Sequence, residues 1–427
     1  MTRPKSHPAG DCGCDAFERS SGMIPLETAF GHIDSVVRSV GEVEDVALTK
    51  AYGRVLAEPV RAVSMVPPFD NSAMDGYALL CADLKGNGPW VLPVLDTIAA
   101  GHAAQRSLPR GSAARILTGA PMPRGADTVV MQENVTRAAD TVALSRRPSR
   151  GSNVRRAGDD MCAGDKILDK GRRLAAKEIA VCAAVGRTSV SVVRPIRVAL
   201  LVTGDEVEPT GNLTTAASIN DVNTPMLVSQ MLGQGVDLVS VSRIGDNVEE
   251  LTAEFRKLGE HADILVTTGG VSVGDADLLP RVFQDVGGEI LFDRVAIKPG
   301  KPATFGRLGS TLWLGLPGNP VAAFVGWQLF GARLLARLSG LAPERPATHL
   351  AVLEKDLRHH PGRQEFRPAR IVGTDPEGRA LVSFPSKTNS AAVAHLASAD
   401  GFAIIGADTQ RVRKGGLVEF LPIDDQR

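Results

Sequence analysis

The 427-residue sequence has no surplus of charge of either sign: 48 Lys and Arg balance 48 Asp and Glu. That excludes a broad electrostatic footprint for nucleic acid or an anionic membrane surface, leaving only local basic clusters. No apolar run approaches the roughly 18–20 residues of a membrane span. Arg3 and Lys5 are not followed by an apolar stretch, so a secretory signal is not expected. Cysteine is scarce. The five, at positions 12, 14, 81, 162 and 182, make no even disulfide framework over so long a chain, and a reducing cytoplasm is the expected compartment. No period of about 20–50 residues repeats. Two phosphate-binding signatures are also missing. There is no GxxxxGKS or GxxxxGKT, and no GxGxxG follows the first α/β strand, which disfavours a kinase or an NAD enzyme.

What is present divides into zones. Residues 1–22 are polar and rich in Gly, Ser and Pro, as a mobile tail would be; His7, Cys12, Cys14 and Asp15 there are too few for a closed metal site. Leu26, Ala29, Ile33, Val36, Val37 and Val40 follow a helical period, and a second helix is expected near 49–57, ahead of Pro59. From 60 to about 195, short Val-rich runs alternate with loops, a β-rich pattern interrupted by one helix ending at Gly186. From Pro195 the pattern switches to apolar strands (196–204, 237–246, 263–270 and ILFDRVAIKPG) alternating with amphipathic helices, which describes a parallel sheet covered on both faces. A long helix closes this unit at Gly340, and the short strands after about 346 read as a small barrel or sandwich.

In an open parallel sheet, ligands sit outside the carboxyl ends of the strands. The unusual residues collect there: Asp205 and Glu206 in TGDE, Asp246, then TGGVSVGDAD with Asp275 and Asp277, Lys298 and Lys301 in AIKPGKP, and GLPGNP before a helix. Taken singly, each also reads as a capping or solvated turn, and Asp275 as a helix cap. Together they place glycine amides and lysines, which suit an anion, beside carboxylates, which repel one. A divalent cation between them resolves the conflict. Mg2+ binds through one or two carboxylates plus substrate phosphates, so Glu206, Asp246 and Asp277 suggest a phosphorylated or nucleotide-like substrate bridged by Mg2+.

The motifs PPFDNSAMDGYAL (67–79), LTGAPMPRGADTVVMQE (117–133), RRAGDD (155–160), TGDE, TGGVSVGDAD, AIKPGKP and GLPGNP occur in this order. The ordered set closely resembles the molybdopterin molybdenumtransferase family, which includes bacterial MoeA and the E domain of gephyrin-type proteins. The resemblance spans about residues 23–425.

The resemblance implies an α/β multidomain protein. A parallel, MogA-like molybdopterin-binding domain (196–342) is expected, with an elongated N-terminal domain (23–60 and 156–195), an inserted β-rich domain (61–155) and a C-terminal β-barrel (343–427). It implies insertion of molybdenum from molybdate into adenylylated molybdopterin, with Mg2+-dependent cleavage of the anhydride and release of AMP. It implies a homodimer in which Asp75, Thr118 and Asp160 reach a neighbouring subunit's crevice, and a molybdopterin adenylyltransferase as a partner that supplies substrate. Carried over by position, Asp75, Glu206, Asp246, Asp277, Lys298 and Lys301 are catalytic candidates, and Glu206, Asp246 and Asp277 the metal ligands. Thr118, Arg155, Asp160, Gly269, Gly270, Ser272, Pro317, Pro320, Arg367 and Ser390 are substrate-binding candidates. Arg367, Ser390 and Lys298 suit molybdate, since Arg offers fork donors and a hydroxyl can turn its proton. Two departures stand out. INDVNTPML keeps Asp221 and Asn223 but lacks the aromatic many members carry there, and Arg294 stands where some carry a lysine. A non-catalytic scaffold and a nucleotide pyrophosphatase are the competing readings; the acidic set with both lysines argues against the first and DNSAMDGYAL against the second.

Overall fold

The run IRVALLVT is apolar on both phases from Val198 to Val202, as a strand buried on both faces must be. In the computed structural model it forms Ile196–Thr203, with Ile196, Val198, Leu200 and Val202 packed to one face and Ala199 and Leu201 to the other. The structure describes residues 22–211, 213–232, 234–270, 278–342, 345–385 and 390–423. Ser272, Asp275 and Asp277 lie outside these residues, as do His7, Cys12, Cys14 and Asp15. The described chain forms two compact units, Glu44–Val192 and the remainder.

The larger unit is built on a six-stranded sheet. Val236–Ile244, Ile196–Thr203, Ile264–Thr268 and Thr311–Leu316 run parallel in that spatial order, and Thr304–Leu308 and Glu289–Phe292 continue it antiparallel. One face is covered by helices Leu26–Val36, Asn223–Met231 and Pro320–Leu338, the other by Val248–Gly259 and Leu278–Asp285. On the second face Trp313, Phe255 and Phe283 cluster with centroids 4.3–6.0 Å apart, and the Trp313 indole N–H donates to the Thr267 hydroxyl at 3.0 Å. Each such buried side chain contributes about 1.5–3 kcal/mol relative to exposure. The Pro320–Leu338 helix is long and apolar enough to cross a bilayer by length and composition, yet 72% of that stretch is buried in the molecule, as the core helix of a folded domain would be. At the sheet's entry edge Arg194 grips Asp263 through both terminal nitrogens (2.7 and 3.0 Å), and its backbone N–H donates to Glu42 O at 3.1 Å.

Two expectations need correction. Residues 49–57 are not a helix. Leu48–Lys50 is a single 3-10 turn, Gly53 takes φ 77°, which ends any helix there, and Val55 and Leu56 bridge instead to Arg173 and Val192. ILFDRVAIKPG is not one strand. Glu289–Phe292 is the antiparallel edge of the sheet, whereas Ile297–Lys298 leaves it and pairs in parallel with Gln364 and Glu365 of the C-terminal region.

That C-terminal region is a closed barrel. Gln364–Thr374, Ala380–Ser383, His349–Leu353, Leu417–Pro422 and Gly401–Ile405 pair in sequence, and the last returns to the first, removing every free edge. In Glu44–Val192, a six-stranded sheet runs in the order Thr128–Met131, Gly76–Leu79, Ala113–Ile116, Trp90–Ile98, Thr141–Leu144 and Val135–Ala138. A separate small core around Leu56, Leu174, Cys182 and Val192 packs near helix Ala176–Ala184.

Candidate active site

The carboxyl ends of the parallel strands open onto a cavity of about 780 Å3. Glu206, Asp246, Gly269, Gly270, Pro317 and Pro320, six of the residues expected from sequence, line it together. Its floor demands glycine. Gly269 has φ 95°, and a Cβ there would stand 2.2 Å from the Thr203 carbonyl oxygen; Gly270 has φ 58° and abuts Leu279 and the Thr203 hydroxyl. A side chain at 269 would collide with the adjacent strand end, so backbone alone forms that wall.

Two strand-end segments are tied together by a residue whose contribution was not foreseen. Asn223, buried at the start of its helix, donates through Nδ2 to the Thr268 hydroxyl at 2.7 Å and to the Gly318 carbonyl at 2.8 Å. The Thr268 hydroxyl in turn donates to the Pro317 carbonyl at 3.1 Å. The Asn223 Oδ1 and the Thr203 hydroxyl are buried without a hydrogen-bond partner, and both residues line the cavity. The signal was in INDVNTPML, where Asn223 stood out but its partners, 45 and 95 residues away, did not. Asp221 of the same segment is a cap: it accepts from the Thr224 amide at 2.9 Å and hydroxyl at 2.6 Å.

The acids are crowded. Asp205 Oδ1 accepts from the Asp246 amide at 2.9 Å. Burial, then the negative charges of Asp205 and Glu206, push the Asp246 carboxyl above the usual carboxylate range. Among the described residues no group of three or more His, Cys, Asp or Glu side chains is placed to hold a metal; the third expected acid, Asp277, lies outside them.

Lys298, Lys301 and Arg367, the cationic candidates, are not among the residues that line this cavity. Lys298, half-buried, sits in register with Glu365, so it is not at a strand end of the sheet, because its segment completes its backbone bonds on the barrel. Lys301 is half-buried three residues on, its carbonyl accepting from the Val295 amide at 3.0 Å. Arg367 donates through Nε and Nη2 to Glu365 Oε1 at 2.9 and 2.8 Å. The Ser390 hydroxyl accepts from Asn319 Nδ2 at 2.9 Å, and its carbonyl takes the Val321 amide, in the first turn of the Pro320–Leu338 helix, at 3.1 Å.

Asp75, Thr118, Arg155 and Asp160 all belong to the Glu44–Val192 unit. The first two meet there. Asp75 Oδ1 accepts both the Thr118 amide and the Thr118 hydroxyl at 2.7 Å, which holds its carboxyl below the usual range. Arg155 is exposed on a two-residue strand opposite Asn71. Its neighbour Arg156, overlooked in the sequence, pairs with Asp70 at 2.5 Å while Asp70 also accepts the Ala157 amide at 2.9 Å. Those bonds fasten RRAGDD to PPFDNSAMDGYAL. Asp160, exposed, is held by its amide, which donates to the Val66 carbonyl at 3.0 Å.

Residues 24–186 match the family described as MoeA N-terminal region (domain I and II), 199–337 the probable molybdopterin binding domain, and 351–423 the MoeA C-terminal region (domain IV). The chain is 37% identical to a molybdopterin molybdenumtransferase of Haemophilus influenzae over 349 residues, covering 81% of this chain and 85% of that protein. It is 34% identical to one of Bacillus subtilis over 411 residues, covering 92% and 94%. Two crystal structures of the molybdopterin biosynthesis MoeA protein of Pyrococcus horikoshii superpose with TM-scores of 0.76 and 0.79 at 30% and 27% identity, over 94% and 93% of this chain and 99% of each.

Proposed function

We propose that this chain, which belongs to the molybdopterin molybdenumtransferase (MoeA) family, inserts molybdenum from molybdate into adenylylated molybdopterin and releases AMP. The observation that carries this is the single cavity in which glycine backbone and the carboxylates of Glu206 and Asp246 converge. Amides at such strand ends bind phosphate oxygens, and Lys298 and Lys301 add the positive charge that an anhydride or an oxyanion needs.

The acidic set suits Mg2+. Asp246 is pushed up by burial and then by two neighbouring carboxylates, whose surplus of negative charge a divalent cation offsets. Glu206 and Asp246 would hold it, with Asp277 as the third acid. Bound there, it would screen the phosphate charge and stabilise the charge that develops as the anhydride breaks. The protein's own part is to fix the reacting groups. Asn223 and Thr268 lock the Pro317–Gly318 backbone, Gly269 lets the ligand come close, and Ser390 and Arg367 offer donors to a tetrahedral oxyanion.

The same reading takes the protein as a cytoplasmic homodimer whose Asp75, Thr118 and Asp160 complete a partner subunit's crevice, served by the adenylyltransferase that makes its substrate. Purified protein, adenylylated molybdopterin, molybdate and Mg2+ should yield AMP together with active cofactor, and no AMP without Mg2+. AMP-free mixtures would sink the enzyme reading in favour of a scaffold. Co-expressed D75A and E206A chains should regain activity that neither has alone; no recovery would refute the shared site.

A further inference from the structure

We infer that Glu365 and His359 are positioning residues for Arg367, holding one edge of its guanidinium so that the other edge is presented to an oxyanion. The inference rests on the reading of Arg367 as an oxyanion donor.

Alternation along Gln364–Thr374 puts Glu365, Arg367 and Ala369 on one face, with Ala369 in the barrel core, and Phe366 on the opposite face in the core of the α/β region. Arg367 has five N–H bonds in a planar fork. Two of them, on Nε and Nη2, are spent on the single oxygen Glu365 Oε1. Three remain, two on Nη1 and one on Nη2, and all point away from that carboxylate. The guanidinium carbon lies 5.2 Å from the Phe384 ring centroid, so carboxylate and ring together fix both its direction and its plane.

Behind Glu365 stands His359, and both side chains are almost sealed, at 2% and 1% exposure. His359 Nδ1 lies 2.7 Å from the Thr409 carbonyl oxygen. A carbonyl only accepts, so Nδ1 is the donor, and this leaves Nε2 facing Glu365 Oε2 at 3.7 Å. Neither atom has a hydrogen-bond partner. The imidazole therefore stands against the carboxylate oxygen that Arg367 does not use, and limits how far the Glu365 side chain can turn. A buried carboxylate beside an oxyanion site weakens anion binding by its charge. Its presence there is explained by the orientation it gives Arg367. Lys298, in register with Glu365, is delivered by the same pairing.

The test is steady-state AMP release by the full chain with adenylylated molybdopterin, Mg2+ and varied molybdate. E365A and H359F should each raise KM for molybdate about tenfold, the loss of one charge-assisted bond. Turnover at saturating molybdate should stay within about twofold, because the chemistry is untouched. H359Q, whose side-chain N–H reaches the place of Nε2, should restore most of the loss seen in H359F. E365Q keeps an oxygen for Arg367 without the charge, should fall between wild type and E365A, and serves in its place if E365A does not fold. Unchanged or lowered KM in the Glu365 and His359 variants, or H359Q no better than H359F, overturns the inference. R367A separates the two levels. If R367A raises KM while the Glu365 and His359 variants do not, only the positioning role falls; if R367A leaves KM unchanged, the oxyanion reading of Arg367 falls and this inference with it.

Discussion

Asn319 donates its amide proton to the Ser390 hydroxyl at 2.9 Å, joining the loop ahead of the Pro320–Leu338 helix to the C-terminal region. Because the hydroxyl accepts there, its own proton is turned elsewhere, toward a ligand oxygen in the reading above. N319A and S390A should each lower AMP release at limiting molybdate by about tenfold, with smaller losses at saturation. The double variant should be no worse than the worse single one, because both remove one unit. A double-mutant cycle that shows simple additivity would separate the two residues.

Asp75 is held by two bonds from Thr118 and is only half-buried, so its replacement removes chemistry more than fold. D75A should lower turnover about a hundredfold or more while the unfolding free energy moves by less than about 1 kcal/mol. T118V keeps the amide bond and loses the hydroxyl, so its turnover loss should be milder and the Asp75 carboxyl should rise toward its ordinary range. Turnover measured beside denaturant unfolding checks both; a T118V loss as deep as that of D75A would give Thr118 a role of its own.

Asp246 sets a pH dependence of known sign. Its carboxyl lies above the unfolded value, chiefly through burial and then through Asp205 and Glu206, so the native state holds the proton more tightly than the unfolded chain does. Ionising it therefore weakens the fold, and the loss sets in as pH rises from the unfolded value through the raised one. D246N should unfold at a higher temperature than wild type at pH 7, with the two curves converging below about pH 3.9, where the unfolded carboxyl is itself protonated. Proton and cation compete for the same oxygens, so apparent Mg2+ affinity of the wild type should fall as pH drops through the raised value. Melting curves and AMP release across pH read both effects. A D246N protein less stable at pH 7 would contradict the repulsion inferred for this cluster.

Gly269 has no room for a side chain. G269A would place a methyl 2.2 Å from the Thr203 carbonyl oxygen at a φ of 95°. It should cost about 2–3 kcal/mol of stability through backbone strain and abolish turnover by deforming the cavity wall. G318A makes a useful contrast, since the nearest atom to its added carbon is 3.4 Å away, and should be far milder in unfolding.

The sheet, its helices and the short C-terminal strands were legible because their evidence is local: doubly apolar strands, amphipathic helices and short strands between turn residues each declare themselves within a dozen positions. The choice between barrel and sandwich was not legible. The six cavity residues were legible for a second reason, that parallel strands deliver their carboxyl ends to one side. What was hidden depends on distant pairing. Near 49–57 the apolar spacing suits a helix, but Val55 and Leu56 are claimed by Arg173 and Val192. ILFDRVAIKPG reads as one strand until Gln364 and Glu365 take its end. Asn223 and the His359–Glu365 approach follow from closure of a crevice and of a barrel, and neither leaves a periodic trace.

The hydrogen bond from the Arg194 backbone N–H to the Glu42 carbonyl has a topological consequence. The chain leaves its α/β host and re-enters it at two adjacent points, so Glu44–Val192 is a cassette spliced into one surface position of the host. A few residues bridging Glu42 to Arg194 would close the host sheet and barrel into a continuous polypeptide, and the excised stretch could be exchanged for another of like ends without re-engineering either core.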